Sequence, residues 1–265
     1  MRVTVCQMRC DSETEFQQDW EALIAHLRAE RSDFVLLPEM PFHPWLASAR
    51  TLDQAAWDRN AAIHAASKTR LGELGVDLVL ATQPIVDGGE NFNEGFVWTS
   101  QTDRMHGVHR KCYLPDEGGF WEAKWYQPGN DFEIFDTAQV TASPNNPRLG
   151  FAICTELWFF DHARTYGENG AHLIASPRAT LDSSTDKWIA GGRSSAVVSG
   201  AYSLSSNWAG AAQAGRWGGT GWIIEPEEGE VLGTTSDEDP FLTCEIDLAR
   251  AEHAKGTYPR YVPAR

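Results

Sequence analysis

The chain has 265 residues, 42% apolar and 22% charged, the composition of an ordinary globular protein with room for a sizeable core. Its net charge of −15, from 22 basic against 37 acidic residues, repels nucleic acid and anionic membrane, so neither is expected as a partner. No apolar run approaches the roughly 18–20 residues that cross a bilayer, and Met1-Arg2-Val3-Thr4-Val5-Cys6 reads as a first strand rather than a signal peptide, pointing to a cytoplasmic protein.

Residues 2–8 read as a strand. Thr14 and Gln17 form a capping-box pattern, and Phe16, Trp20, Leu23, Ile24 and Leu27 follow at helical spacing. A buried strand over 34–37 stops at Pro38, a helical stretch runs over about 51–74, and 76–81 reads as another buried strand. Segments 92–99 and 104–109 read as antiparallel strands turning at Gln101-Thr102-Asp103. A long loop rich in Gly, Pro and aromatic residues covers 111–131. A strand over 148–153 ends at Cys154, and a helix follows to about Asn169 with Gly170 as its stop. Strand 172–176, helix 185–200 and strands near 201–207, 218–224, 230–233 and 241–246 complete the chain. No linker, repeat or low-complexity segment interrupts it, so a single α/β domain over 1–265 with mixed sheets is expected.

Three residues stand directly after strands, where α/β folds collect their chemistry. Glu39 lies between Pro38 and Pro41 and beside Leu37, Met40 and Phe42, surroundings that raise a carboxyl pKa and suit a general base. It reads equally as a helix-capping or solvated loop acid. Lys111 opens the long loop and is one of only five lysines, yet a surface lysine fits the same position. Cys154 sits between an apolar strand and a helix, where a helix N-terminus lowers a thiol pKa and offers N–H groups to an oxyanion. A buried structural cysteine is its alternative. With the other four cysteines, 6, 10, 112 and 244, the total is five, an odd and scattered set that argues against a disulfide framework. Cys6 and Cys10 lack the following Cys or His pair of a zinc site, so no metal is expected.

Taken together, Leu37-Pro38-Glu39, Arg110-Lys111 and Gly150-Phe151-Ala152-Ile153-Cys154 resemble, in order and spacing, the Glu–Lys–Cys set of the nitrilase-like carbon–nitrogen hydrolases. The resemblance extends along nearly the whole chain. Lys111-Cys112-Tyr113-Leu114-Pro115 with Glu122-Ala123-Lys124-Trp125 is similar to the family's loop, in which a second glutamate lies near the substrate. Ser206-Asn207-Trp208-Ala209-Gly210 is similar to its late strand, and Gly218-Gly219 through Leu232 to its closing hairpin. Departures are Thr155 where an aromatic residue often follows the cysteine, and Trp158-Phe159-Phe160-Asp161 in place of a Phe-Pro-Glu pattern. Together with the absence of a C-terminal extension, these argue against nitrile hydrolysis as the main activity.

The resemblance implies a four-layer α-β-β-α sandwich with two mixed sheets, assembled as a homodimer or higher homo-oligomer. It implies Cys154 as nucleophile, Glu39 as base and Lys111 with the Thr155 N–H at the oxyanion, without metal or organic cofactor. Glu122 would orient Lys111 or meet the leaving nitrogen, its alternative being a loop salt bridge to Lys124. Trp158 stands among aromatic residues able to line an acyl pocket, and Arg178 is placed to bind a substrate carboxylate. The expected substrate is a small amide, hydrolysed to acid and ammonia. An N-carbamoyl compound is the alternative, then a nitrile, and an inactive ligand-binding homologue is the non-enzymatic reading.

Overall fold

The computed structural model describes residues 1–143, 145–213 and 215–263; positions 144, 214, 264 and 265, which the expected 1–265 domain includes, lie outside the described residues. The fold is α/β. Its strands are β1 (Arg2–Met8), β2 (Phe34–Leu36), β3 (Leu78–Asp87), β4 (Glu90–Thr99), β5 (Arg104–Arg110), β6 (Phe135–Asp136), β7 (Arg148–Phe151), β8 (Leu173–Arg178), β9 (Tyr202–Ala212), β10 (Gly215–Gly218), β11 (Trp222–Ile224), β12 (Val231–Thr234) and β13 (Phe241–Glu245). The α-helices among the described residues are α1 (Glu13–Glu30), α2 (Gln54–Ser67), α3 (Glu122–Trp125), α4 (Phe160–Glu168), α5 (Thr185–Ser199) and α6 (Leu248–Ala254).

All thirteen strands join one large mixed hydrogen-bonded network, with central order β5-β4-β3-β2-β1-β9-β8-β7-β6. The join between its halves is short: β1 meets β9 only through Gln7 opposite Asn207 and Met8 opposite Trp208. Strands β1, β2 and β3 run parallel, as do β7, β8 and β9. The β3-β4-β5 meander turns β5 back into the direction of β2. Because β1 and β9 are parallel too, the carboxyl ends of β2, β5, β7 and β8 lie on one side.

Side-chain alternation decides what each strand faces. Val3, Val5, Phe34, Leu36, Leu78 and Leu80 pack with Leu149, Phe151, Leu173, Ala175, Leu204 and Trp222 from the other half. The intervening Cys6, Met8, Val35, Leu37, Val79 and Ala81 pack beneath α1 and α2 against Trp20, Leu23 and Trp57. On the far side Ile174 and Ala152 meet Ala163 and Tyr166 of α4. Cys6 and Cys10 are buried in the first-half core, the Cys6 thiol donating to the Leu36 carbonyl at 3.3 Å, and so act as apolar filling.

Several element boundaries differ from the sequence reading. Helix α1 is capped by Ser12, whose hydroxyl accepts the Glu15 N–H at 3.3 Å; Thr14 lies within the first turn. The 51–74 stretch is α2, capped by Asp53, followed by a tighter 3-10 stretch Lys68–Leu74 that ends at Gly75 in the left-handed region. Strand β3 runs six residues further than expected because Gly88 and Gly89, both at positive φ, allow a tight hairpin into β4. Helix α6, started by the Asp247 carboxylate, has no counterpart in the sequence reading.

Gly150 in β7 shows how closely the strand before Cys154 is packed. A Cβ there would sit 2.7 Å from the Tyr166 ring. That ring is fully buried and anchored by its hydroxyl, which donates to the Phe151 carbonyl at 2.6 Å. Gly150→Ala is therefore expected to cost about 1–3 kcal/mol through overpacking, read as a lower midpoint in thermal or urea denaturation, whereas an exposed Gly118→Ala, with open space around its Cβ, should leave the midpoint unchanged.

Candidate active site

Glu39, Lys111 and Cys154 come together from the carboxyl ends of β2, β5 and β7. Two residues, Leu37 and Pro38, separate Leu36, the last of β2, from Glu39, and the backbone there is pinned from several sides. The Glu39 N–H reaches the Arg178 carbonyl, the Trp208 indole donates to the Glu39 carbonyl at 2.5 Å, and the Met40 N–H donates to Thr82 Oγ1 at 2.7 Å. Met40 itself holds φ 47°, a conformation costly for a side chain with a Cβ and kept by those bonds.

Lys111 continues the β5 ladder by donating its N–H to the Asn93 carbonyl of β4 at 2.8 Å. Its ammonium is fully buried and bridges two carboxylates, Glu39 Oε1 at 2.8 Å and Glu122 at 2.7 and 2.8 Å. Glu122 opens α3, and the other cation considered for it, Lys124, pairs with Asp116 at 2.9 Å instead. Asn93 Nδ2 also donates to Glu39 Oε1, at 2.8 Å. The second oxygen of Glu39, Oε2, is buried without a hydrogen-bond partner among the described residues. Such an unpaired acceptor is a lone pair held available for a proton.

Cys154 is four per cent exposed and stands at φ 49°, so the chain turns sharply and lifts the thiol out of the strand direction. The expected long helix is broken: Cys154–Trp158 is a 3-10 turn, and α4 starts only at Phe160. The expected low thiol pKa is also absent. Burial, and then the negative charge of Glu39, push the Cys154 thiol up to about 12, against the opposing pull of Lys111. The thiol thus lies within the electrostatic reach of both Glu39 and Lys111, and its burial favours the protonated form.

Cys154 opens onto a cavity of about 650 Å³ with Thr155 and Trp158 on its wall, closed on other sides by Phe120, Leu181 and Trp188. The N–H groups at the start of the turn have no intrahelical partner. Arg178 is the last residue of β8 but does not line this cavity. Its guanidinium is one per cent exposed and donates to Ser205 Oγ, Thr180 Oγ1 and the Thr220 carbonyl, while stacking 4.1 Å from the Trp222 ring centre. The substrate-facing arginine expected from the sequence is therefore a buried buttress of the cavity floor. Among the described residues the one cation on the cavity wall is Lys187, which the sequence reading passed over; its ammonium lies 5.6 Å over the Trp158 ring.

With this geometry in place, the chain was compared with known proteins. A profile of the carbon-nitrogen hydrolase family matches residues 2–255. The chain belongs to the carbon–nitrogen hydrolase family. Among curated relatives, human Omega-amidase NIT2 is 27% identical over 195 residues, covering 71% of this chain and 67% of that protein. Citrullinase from Francisella tularensis is 24% identical over 184 residues, covering 68% and 61%. The chain thus spans about three fifths to two thirds of the length of these curated relatives. Among solved structures, a carbon-nitrogen hydrolase from Helicobacter pylori G27 superposes with TM-score 0.80 at 22% identity, covering 100% of this chain and 95% of that one. An amidase from Nesterenkonia sp. AN1, titled as carrying a Michael addition product of acrylamide at its active-site cysteine, superposes with TM-score 0.75 at 17% identity, covering 95% of each. These likenesses agree on the fold of the carbon–nitrogen hydrolases.

Some residues around the site escaped the sequence reading. Asn93 is one, since nothing in its local sequence marks it. His109 and Glu156 carried a signal: each lies two positions from a suspected catalytic residue, on the same strand face or the same turn.

The ionic bridge makes a stability prediction. Removing the cation leaves two buried carboxylates uncompensated, so Lys111→Met should cost about 3–5 kcal/mol in urea denaturation at neutral pH. Burial, and the neighbouring charge of Glu39, hold the Glu122 carboxyl up at about 7 even against Lys111. A carboxyl raised in the folded state weakens the fold when ionised, a cost present above about pH 7 and gone below its ordinary value. The deficit of Lys111→Met should therefore shrink as pH falls from 7.5 towards 5; a deficit independent of pH would contradict the charge account.

Proposed function

We propose that the protein hydrolyses a small amide to a carboxylic acid and ammonia through a thioester on Cys154. The observation that carries this reading is the buried Lys111 ammonium bonded to both Glu39 and Glu122, with the Oε2 of Glu39 left without a partner among the described residues and Cys154 within the reach of both charges. Glu39 takes the thiol proton as the sulfur attacks the amide carbon, so that no thiolate has to persist in the apolar cleft. The oxyanion formed is met by the Lys111 ammonium and the Thr155 N–H. Glu39 returns the proton to the leaving nitrogen, ammonia departs, and the acyl group remains as a thioester. Water, deprotonated by Glu39, then attacks the thioester carbon and releases the acid and the thiol. Glu122 holds the ammonium in place throughout. Trp158 forms part of the acyl wall.

The names of the relatives support an amide substrate, omega-amidase and amidase among them. A second reading, an N-carbamoyl compound bearing a carboxylate, is favoured by Lys187, which has no carboxylate partner among the described residues and faces the same cavity. We further propose the arrangement behind the site to be a four-layer α-β-β-α sandwich, which the three separate core clusters support, formed by one domain that pairs as a homodimer and works in the cytoplasm. Among the described residues no helix is long and apolar enough to cross a membrane.

Ammonia release from propionamide, benzamide, an N-carbamoyl amino acid and a matching nitrile tests the function. Turnover of the simple amides is expected, with Cys154→Ala reduced below one per cent and still folded; the mutant retaining more than a few per cent would overturn the role of Cys154. Preference for the carbamoyl compound, lost with Lys187→Ala through a KM rise confined to anionic substrates, would move the assignment to the second reading.

A further inference from the structure

One buried carboxylate outside the Glu–Lys–Cys set touches the chain on both sides of it. Glu156 is one per cent exposed and accepts three partners. The Ile153 N–H, directly before the nucleophile, reaches its Oε2 at 2.7 Å. The Cys112 N–H, directly after Lys111, reaches its Oε1 at 2.6 Å. His109, two residues before Lys111, places Nε2 at 2.9 and 3.1 Å from the two oxygens and is itself buried.

We propose that Glu156, backed by His109, is a positioning residue that sets the separation of Lys111 and Cys154 by clamping the backbone next to both. The inference rests on the roles just proposed for Lys111 and Cys154. Nothing else among the described hydrogen bonds joins the backbone flanking one of these residues to the backbone flanking the other. The bonding needs an ionised acceptor. Both oxygens face backbone N–H donors, so an amide in the same place would turn its NH2 against one of them, and the clamp would open at that end. The imidazole is the third partner: burial disfavours its protonated form, but the Glu156 carboxylate outweighs that and holds the His109 pKa above its ordinary value. The turn strained at Cys154 is thereby tied to the exit of β5, 44 residues away along the chain. Displacement of a reacting group by about 1 Å costs on the order of 100-fold in rate, and the clamp acts on both groups at once.

The test uses the full chain with Glu156→Gln, and with His109→Gln as the milder change that keeps an N–H donor but removes the imidazole. Three readings are taken: the thermal midpoint, kcat and KM for the amide turned over, and the rate at which iodoacetamide alkylates Cys154, with the site located by mass spectrometry. Glu156→Gln is expected to lower kcat about 100-fold with KM within threefold, and to slow alkylation of Cys154 at least tenfold at temperatures where the protein is folded. His109→Gln should lie between it and wild type. Wild-type kcat and alkylation in a folded Glu156→Gln, or a loss matching the unfolded fraction alone, would reduce Glu156 to a stabilising residue and overturn the proposal. Should Glu156→Gln not fold, wild-type rates in folded His109→Gln would overturn it equally. If no amide is turned over by the wild type, the alkylation rates still decide the clamp, so its failure and that of the amidase reading are told apart.

Discussion

A single buried ammonium held between two buried carboxylates governs the rest of this structure. The idealised cost of removing such ions from water is of order 20 kcal/mol each, and only close, well-directed pairing offsets it. Lys111 meets that condition with contacts of 2.7–2.8 Å to Glu39 and Glu122, and Asn93 adds a fourth group to the cluster. Each member comes from a different element, so the network forms only when β2, β4, β5 and α3 are in register. The meander that returns β5 alongside β2, and the loop that carries Glu122 back over Lys111, are the means by which a chain brings three such charges to one point.

Burial also explains the state of the nucleophile. A cysteine at a helix start is expected to ionise easily, yet here the turn is short, and burial followed by the charge of Glu39 pushes the thiol up to about 12. In the proposed reaction the free oxygen of Glu39 has a use, since the proton would leave only as the bond to carbon forms. Burial, and then the negative charge of Glu39, also hold the Glu122 carboxyl up at about 7 against the pull of Lys111.

The cavity owes its shape to tryptophan and to groups that never touch its contents. Trp208 supports Glu39 from behind, and Arg178 spends its donors on Ser205, Thr180 and Thr220 beneath the floor. Asn207 ties the Thr180 wall to Gly219 through bonds of 2.7–3.0 Å. The late strand is thus less a binding surface than a brace, and among the described residues Lys187 is the one cation on the cavity wall.

Much was determined by sequence alone. Apolar runs before Glu39 and Cys154, and a turn-separated strand pair before Lys111, marked three strand ends, because a strand's burial and its stopping point are local properties; the family resemblance then pointed to the chemistry. Glu122 was placed near the site by its motif. What only the tertiary structure decided depends on groups distant in the chain. The pairing of Lys111 with both carboxylates, the raised thiol, the retreat of Arg178 beneath the floor and the Glu156 bridge all follow from which side chains share a water-free space. A local sequence window carries no record of desolvation, and desolvation sets each of these outcomes.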